Sequence, residues 1–122
     1  MSDPVRLSVP CTPEHAQVVR TTAAAVGATA HFTLEGLDDL RLLVDEVFGS
    51  MCTLGVPRVE LCLVCRDGAV GVQMSASAPI PPWTSPPDLG VATLLAAVLA
   101  TDVRVDLRAA YPMFEATVAD RR

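Results

Sequence analysis

A carboxylate and a hydroxyl lie one helical turn apart near the end of a segment whose apolar residues recur at helical spacing. They are Glu46 and Ser50. A carboxylate that reaches a hydroxyl nucleophile can act as a general base, and a serine hydroxyl can bind Mg²⁺, as it does in P-loop proteins. On spacing alone, the competing explanation is a solvated helix face without chemistry. The surrounding elements must therefore decide between the two.

The helix that carries Glu46 is predicted to begin at Thr33 and to end before Gly55 and Pro57. At about 100° per residue, one flank of this helix carries both Glu46 and Ser50. The flank also includes Asp39 and Leu43. It borders an apolar stripe formed by Leu37, Leu40, Val44, Val47 and Met51.

The rest of the chain alternates between strands and helices. Strands are predicted at 5–9, 58–66, 69–77, 103–107 and 113–119, and Asp67-Gly68 is a strong hairpin signal between the second and third. An earlier helix starts with Thr12 as N-cap and Pro13, and Gly27 is expected to end it in the left-handed conformation. Asp88 caps a third helix that includes Leu95 and Leu99, after a proline-rich loop at 78–87.

This order predicts an α+β fold in which a single mixed, mostly antiparallel sheet is covered on one face by three helices. The 122 residues make one domain, 1–122, and the net charge is −5. An acidic chain disfavours nucleic-acid binding, which needs clustered cations. Neither a membrane-spanning run nor a signal-peptide pattern is found, so we expect a cytoplasmic protein with reduced cysteines.

The sequence of residues 38–46, Asp-Asp-Leu-Arg-Leu-Leu-Val-Asp-Glu, resembles the N-box helix of the GHKL ATPases. Within that family it most resembles the helix of the small bacterial anti-sigma factor serine kinases. The element order also resembles their Bergerat fold. Residues 88–95 look like the second glycine box of that family, and 101–105 look like the strand that follows it. The resemblance implies that Glu46 is the catalytic base of an active member. It also implies that Ser50 stands where the family has the Asn that helps to hold magnesium and nucleotide.

Several departures from the family pattern indicate a degenerate nucleotide pocket. The chain contains no Asn and no Lys, and residues 72–79 lack the Asp and the glycines of the first glycine box. Ser75 or Ser77 remains as a hydrogen-bond acceptor there, and Gly90 remains from the second glycine box. The lid loop is short and stiffened by proline. We therefore expect no cofactor and no metal, with ATP and Mg²⁺ required only if the chain is an active kinase.

The cysteines and histidines show no metal-ligand spacing. Cys62 and Cys65 lie in one strand, where residues three apart point to opposite faces, so they are expected to be core cysteines. Cys11 and Cys52 have no partner pattern.

Three residues are candidates for partner binding. Trp83 lies in the stiff proline loop, and Leu42 lies off the apolar stripe of its helix. Arg20 is the lone basic residue of the first helix, a region that lies near the sigma-factor contact in the resembled family.

The function expected from this resemblance is anti-sigma regulation by protein–protein binding. The partners would be a sigma factor, an anti-anti-sigma factor, or both, and the family commonly forms homodimers. The alternatives are an active serine protein kinase that phosphorylates an anti-anti-sigma factor, and a sensor that reuses the pocket for a small apolar ligand.

Overall fold

The computed structural model of the chain describes residues 3–79, 96–106 and 111–121. Five strands and two long helices follow one another along these residues. The strands are β1 (Val5–Pro10), β2 (Arg58–Arg66), β3 (Ala69–Ala76), β4 (Ala100–Asp106) and β5 (Met113–Ala119), and the helices are α1 (Ala16–Thr29) and α2 (Leu34–Thr53). Both helices lie between β1 and β2, and a short 3-10 turn, Pro13–His15, precedes α1.

The strands form one sheet in the order β1-β2-β3-β5-β4. All four strand pairs are antiparallel, so the described part of the sheet contains no parallel pair. The predicted α+β class is confirmed. The hairpin between β2 and β3 forms at Asp67-Gly68, where Gly68 has a φ of 68°, a value that glycine adopts without a Cβ penalty.

One hydrophobic core fills the space between α1, α2 and one face of the sheet. Alternate residues of the central strands point into it, as the period of a strand requires. These inward residues are Val59, Leu61, Leu63, Val70, Val72, Met74, Ala76, Phe114, Ala116 and Val118. The two helices therefore cover this face of the sheet.

The buried arc of α2 is wider than the apolar stripe predicted from the sequence. Leu43 and Phe48 are both fully buried although neither was assigned to the stripe. Thr33 caps the helix as predicted, and its hydroxyl accepts a hydrogen bond from the Gly36 amide at 3.1 Å. The helix ends before Gly55, whose φ is 79°.

The predicted end of the first helix at Gly27 is wrong. α1 continues to Thr29, and the residue with positive φ is His31, at 63°. Gly27 is buried inside the helix, where an added Cβ would stand 2.7 Å from Leu37 Cδ2 and 3.1 Å from Leu40 Cδ2. The glycine serves close helix–helix packing and not a helix cap.

The third predicted helix lies mostly outside the described residues. Residues 96–99 are helical, and Ala96 is fully buried. No helix within the described ranges is both long enough and apolar enough to cross a bilayer.

Candidate functional site

Glu46 and Ser50 lie together on the half-buried flank of α2. The Ser50 hydroxyl donates a hydrogen bond to the Glu46 backbone carbonyl at 2.9 Å, a common way for serine to satisfy its proton inside a helix. Within residues 3–79, 96–106 and 111–121, the Glu46 carboxylate makes no hydrogen bond or ion pair. Helix geometry therefore brings the two predicted groups together, with the carboxylate unengaged by this part of the chain.

The N-terminal half of the same flank is occupied by the end of the chain. Asp39 pairs with Arg121 through two hydrogen bonds of 2.6 and 2.9 Å. The neighbouring Asp120 carboxylate accepts hydrogen bonds from the Thr33 amide at 3.0 Å and the Thr33 hydroxyl at 2.7 Å. A cavity of about 370 Å³ beside Asp39 is lined by residues 98–101, Ala119 and Arg121. This segment fixes the start of α2 and removes Asp39 from the groups available to a ligand.

β3 does not bring Ser75 to the side of the sheet on which Glu46 lies. Met74 and Ala76 are buried in the core on the helix side, and alternation along the strand therefore places Ser75 on the opposite face. Ser75 is thus no candidate for a pocket that includes Glu46. The alternation of residues 69–76 already contained the signal that places it there.

Ser77 lies just beyond β3 and is exposed. Its amide and its hydroxyl both donate to the Arg58 carbonyl, at 3.0 and 2.9 Å. The serine therefore ties the end of β3 to the start of β2. Gly90 and Trp83, the other predicted pocket and partner residues of this region, lie outside the described residues.

The structure brings Arg20 and Leu42 together in one groove between α1 and α2. The groove has a volume of about 480 Å³ and is also lined by Gln17, Thr21, Ala24, Asp38, Arg41 and Asp45. Leu42 is 46% exposed, as its position off the apolar stripe predicted. We call this surface, formed by Arg20, Leu42 and the six other lining residues, the helix groove.

Ion pairs within the helix groove balance its charges. Arg20 Nη1 lies 2.7 Å from Asp45 Oδ1, and Arg20 Nη2 donates to Gln17 Oε1 at 2.9 Å. Arg41 pairs with Asp38 one turn away on the same helix. Both pairs are more than one third exposed, so each stabilises the fold by at most about 1 kcal/mol. A partner can therefore recruit Arg20 at small cost.

A second cavity, which sequence reasoning missed, lies on the face of the sheet that α1 and α2 leave uncovered. It has a volume of about 440 Å³, and its lining includes Gly71, Gln73 and Thr117. Charged residues of both signs surround it, namely Arg66, Asp102, Arg104 and Glu115. Gly71, which has no side chain, deepens the surface, and this is the signal that a reading of the strand pattern could have used.

The structure corrects the expectation that Cys62 and Cys65 are both core cysteines. Cys62 lines the cavity on the uncovered face, so it is not a core residue, whereas Cys65 packs against the core. Cys11 and Cys52 are partners, with 3.3 Å between their sulfur atoms. Burial raises the pKa of the Cys11 thiol, and the contact with Cys52 raises it further. The described residues contain no group of three or more His, Cys, Asp or Glu side chains placed to hold a metal ion.

Comparison with solved structures identifies the fold. The chain is similar to a crystal structure of the RsbU and RsbW domains of Rv1364c from Mycobacterium tuberculosis, with a TM-score of 0.71 and 14% sequence identity. The match covers 98% of this chain and 34% of that one, so the present chain spans about a third of its length. No family model matches the sequence, and no curated protein matches it. The five-stranded sheet with its helices is thus the fold of a structure that includes an RsbW domain.

Proposed function

We propose that this protein is a cytoplasmic regulator of the anti-sigma type that acts by protein–protein binding and has a degenerate nucleotide site. Two independent likenesses support this proposal. The sequence of α2 resembles the N-box helix of the anti-sigma factor serine kinases, and the fold is similar to a structure that includes an RsbW domain. The proposed partners are a sigma factor, an anti-anti-sigma factor, or both, with the chain acting as a homodimer.

The observation that carries the binding-only proposal is the chemistry of β3 on the helix side. In the kinases whose N-box helix α2 resembles, a carboxylate near the end of this strand accepts a hydrogen bond from the adenine amino group. Here the helix-side positions hold Met74 and Ala76, both buried, and neither can accept such a hydrogen bond. A hydrogen-bonding ligand placed against these side chains would lose bonds to water without replacing them.

The helix groove is the surface that we propose for the partner. It joins an exposed leucine to a weakly held arginine, and arginine is one of the residue types that are enriched in binding hot spots. The net charge of −5 favours encounter with a basic surface, as sigma factors present to DNA. Long-range charge of this kind raises the association rate more than the affinity.

Affinity capture with matched variants tests this proposal. The wild-type chain is immobilised and bound proteins are identified by mass spectrometry. We expect a sigma factor or an anti-anti-sigma factor, lost with Leu42→Asp and retained with Leu34→Asp. Leu34 is 81% exposed on the same helix but does not line the helix groove, so it controls for added charge. Recovery of neither class of partner would contradict the proposal.

A second candidate function is an active serine kinase. It is favoured by the Glu46 carboxylate, which no group within the described residues engages. In that reaction Glu46 would accept the proton of a partner serine, and Ser50 would contact magnesium through water. Transfer of labelled phosphate from ATP to the captured partner would establish this function if Glu46→Ala abolishes it. Glu35→Ala, an exposed carboxylate in the first turn of the same helix, is the matched control.

A further inference from the structure

Cys11 and Cys52 stand apart from both proposed surfaces. Neither lines the helix groove, and neither lies on the flank with Glu46. Their sulfur atoms are 3.3 Å apart although 41 residues separate them in sequence. A disulfide needs a sulfur–sulfur distance of about 2.05 Å. The two sulfur atoms are therefore about 1.2 Å further apart than in a disulfide.

Backbone hydrogen bonds beside Cys11 and Cys52 hold the two thiols close to each other. The Cys11 amide donates to the Pro57 carbonyl at 3.0 Å, directly after Pro10 pairs with Arg58 at the end of the β1–β2 ladder. Cys52 lies in the last turn of α2, where its carbonyl accepts from the Gly55 amide at 3.0 Å. Both cysteines therefore lie beside the same turn between α2 and β2.

The two thiols differ in their access to solvent. Cys11 is buried, with 8% of its surface exposed, whereas Cys52 is half-buried. An oxidant in solution therefore meets Cys52 first, and Cys11 is placed to react only with its neighbour. This arrangement, with one accessible sulfur and a second within contact, is typical of cysteine pairs that oxidise reversibly.

We propose that Cys11 and Cys52 form a reversible intramolecular disulfide when the protein meets a peroxide. The Cys52 thiolate attacks one peroxide oxygen, an S–O bond forms, the O–O bond breaks, and the leaving hydroxide takes up a proton to become water. The Cys11 sulfur then attacks the Cys52 sulfur, so that the S–S bond forms and the S–O bond breaks. The second hydroxide leaves as water with the Cys11 thiol proton. Two thiols lose two electrons in total to the peroxide, and a dithiol reductant reverses the change.

The other two cysteines do not compete for this bond. Cys62 lies on the uncovered face of the sheet, on the far side of the strands from Cys11. Cys62 and Cys65 point to opposite faces of β2 and cannot bridge each other. The oxidised chain should therefore retain two free thiols.

Thiol counting after oxidation tests the proposal. The purified full chain is treated with hydrogen peroxide, unfolded and alkylated with a maleimide. The mass of the intact chain is then measured by mass spectrometry. We expect two maleimide additions in place of four, restored to four by a dithiol reductant, with peptide mapping that links Cys11 to Cys52. The Cys62→Ser/Cys65→Ser double variant should lose both additions on oxidation.

Three outcomes would overturn the proposal. They are four additions after peroxide treatment, a bridge that includes Cys62 or Cys65, and oxygen added to Cys52 without a link to Cys11. The single variants Cys11→Ser and Cys52→Ser must each abolish the bridge. The disulfide is detected in the wild-type chain and in the Cys62→Ser/Cys65→Ser variant. The test therefore does not depend on whether the single variants Cys11→Ser and Cys52→Ser fold.

Discussion

Arg20 on α1 and Asp45 on α2 form an ion pair across the helix groove, with 2.7 Å between Nη1 and Oδ1. Their side chains are 36% and 37% exposed, so solvent and salt screen the attraction. The pair therefore links α1 to α2 without contributing much to the stability of the fold. It holds Arg20 in place and leaves it available to a partner carboxylate.

Mutations of Arg20 and Asp45 should have small effects on the stability of the fold and different effects on partner binding. In a double-mutant cycle with Arg20→Ala and Asp45→Ala, we expect a coupling energy below about 1 kcal/mol in urea unfolding. Arg20→Ala should weaken binding of the captured partner, whereas Asp45→Ala should leave it unchanged or strengthen it, because Arg20 is then released. Calorimetric titration measures the affinities. Loss of binding in Asp45→Ala would contradict the role given to Arg20.

Two glycines of the helical layer should respond to alanine with opposite signs. Gly49→Ala should stabilise the protein by about 0.5–1 kcal/mol, because its Cβ meets no atom within 4 Å and alanine favours the helix. Gly27→Ala should destabilise it by about 1 kcal/mol or more, because its Cβ would stand 2.7 Å from Leu37 Cδ2 and 3.1 Å from Leu40 Cδ2, so that both leucine side chains must shift. Urea unfolding of both variants checks this. Equal effects of the two substitutions would mean that α1 and α2 pack less closely at Gly27 than the structure shows.

The buried thiol of Cys11 should make stability fall at high pH. Burial raises the pKa of Cys11 above its usual value of 9.0, so the folded chain keeps a proton that the unfolded chain releases. The stabilisation is therefore fully present below about pH 9 and is lost as the pH rises further, by about 1.4 kcal/mol per unit. Between pH 8 and 10, the wild type should lose about 1 kcal/mol more than Cys11→Ser.

The comparison of the wild type with Cys11→Ser isolates this pH dependence, because the two chains share every other titratable residue. An identical pH dependence in the wild type and Cys11→Ser would show that the Cys11 thiol ionises as easily in the folded chain as in the unfolded one.

The oxidised protein should be more stable than the reduced one. A bridge across the 41-residue separation of Cys11 and Cys52 restricts the unfolded chain and should add about 2–4 kcal/mol to the free energy of unfolding. Guanidinium unfolding of the peroxide-treated and the reduced protein measures the difference. The oxidised Cys52→Ser variant should show no gain, and a decrease in the wild type would mean that the bridge strains the fold.

Local signals predicted the elements that depend on local chemistry. Asp67-Gly68 predicted the hairpin because a turn with positive φ needs glycine there. Thr33 predicted the start of α2 because its hydroxyl satisfies an amide of the first turn. The position of Glu46 and Ser50 on one flank followed from helix geometry alone.

Tertiary packing determines the features of the structure that the sequence did not predict. Gly27 looked like a helix cap, but the close approach of Leu37 and Leu40 explains it. Nothing local links Cys11 to Cys52, since their contact arises only when β1 pairs with β2 and α2 packs above them. The groove that unites Arg20 with Leu42 likewise depends on the packing of α1 against α2.

The most direct test of the proposed function is a calorimetric titration of the reduced protein with Mg-ATP. We expect no binding up to millimolar nucleotide for the wild type. The same result is expected for Ser50→Asn, because Met74 and Ala76 leave the adenine without a hydrogen-bond acceptor on the helix side of β3. A micromolar affinity in the wild type would contradict the proposal and would favour the kinase.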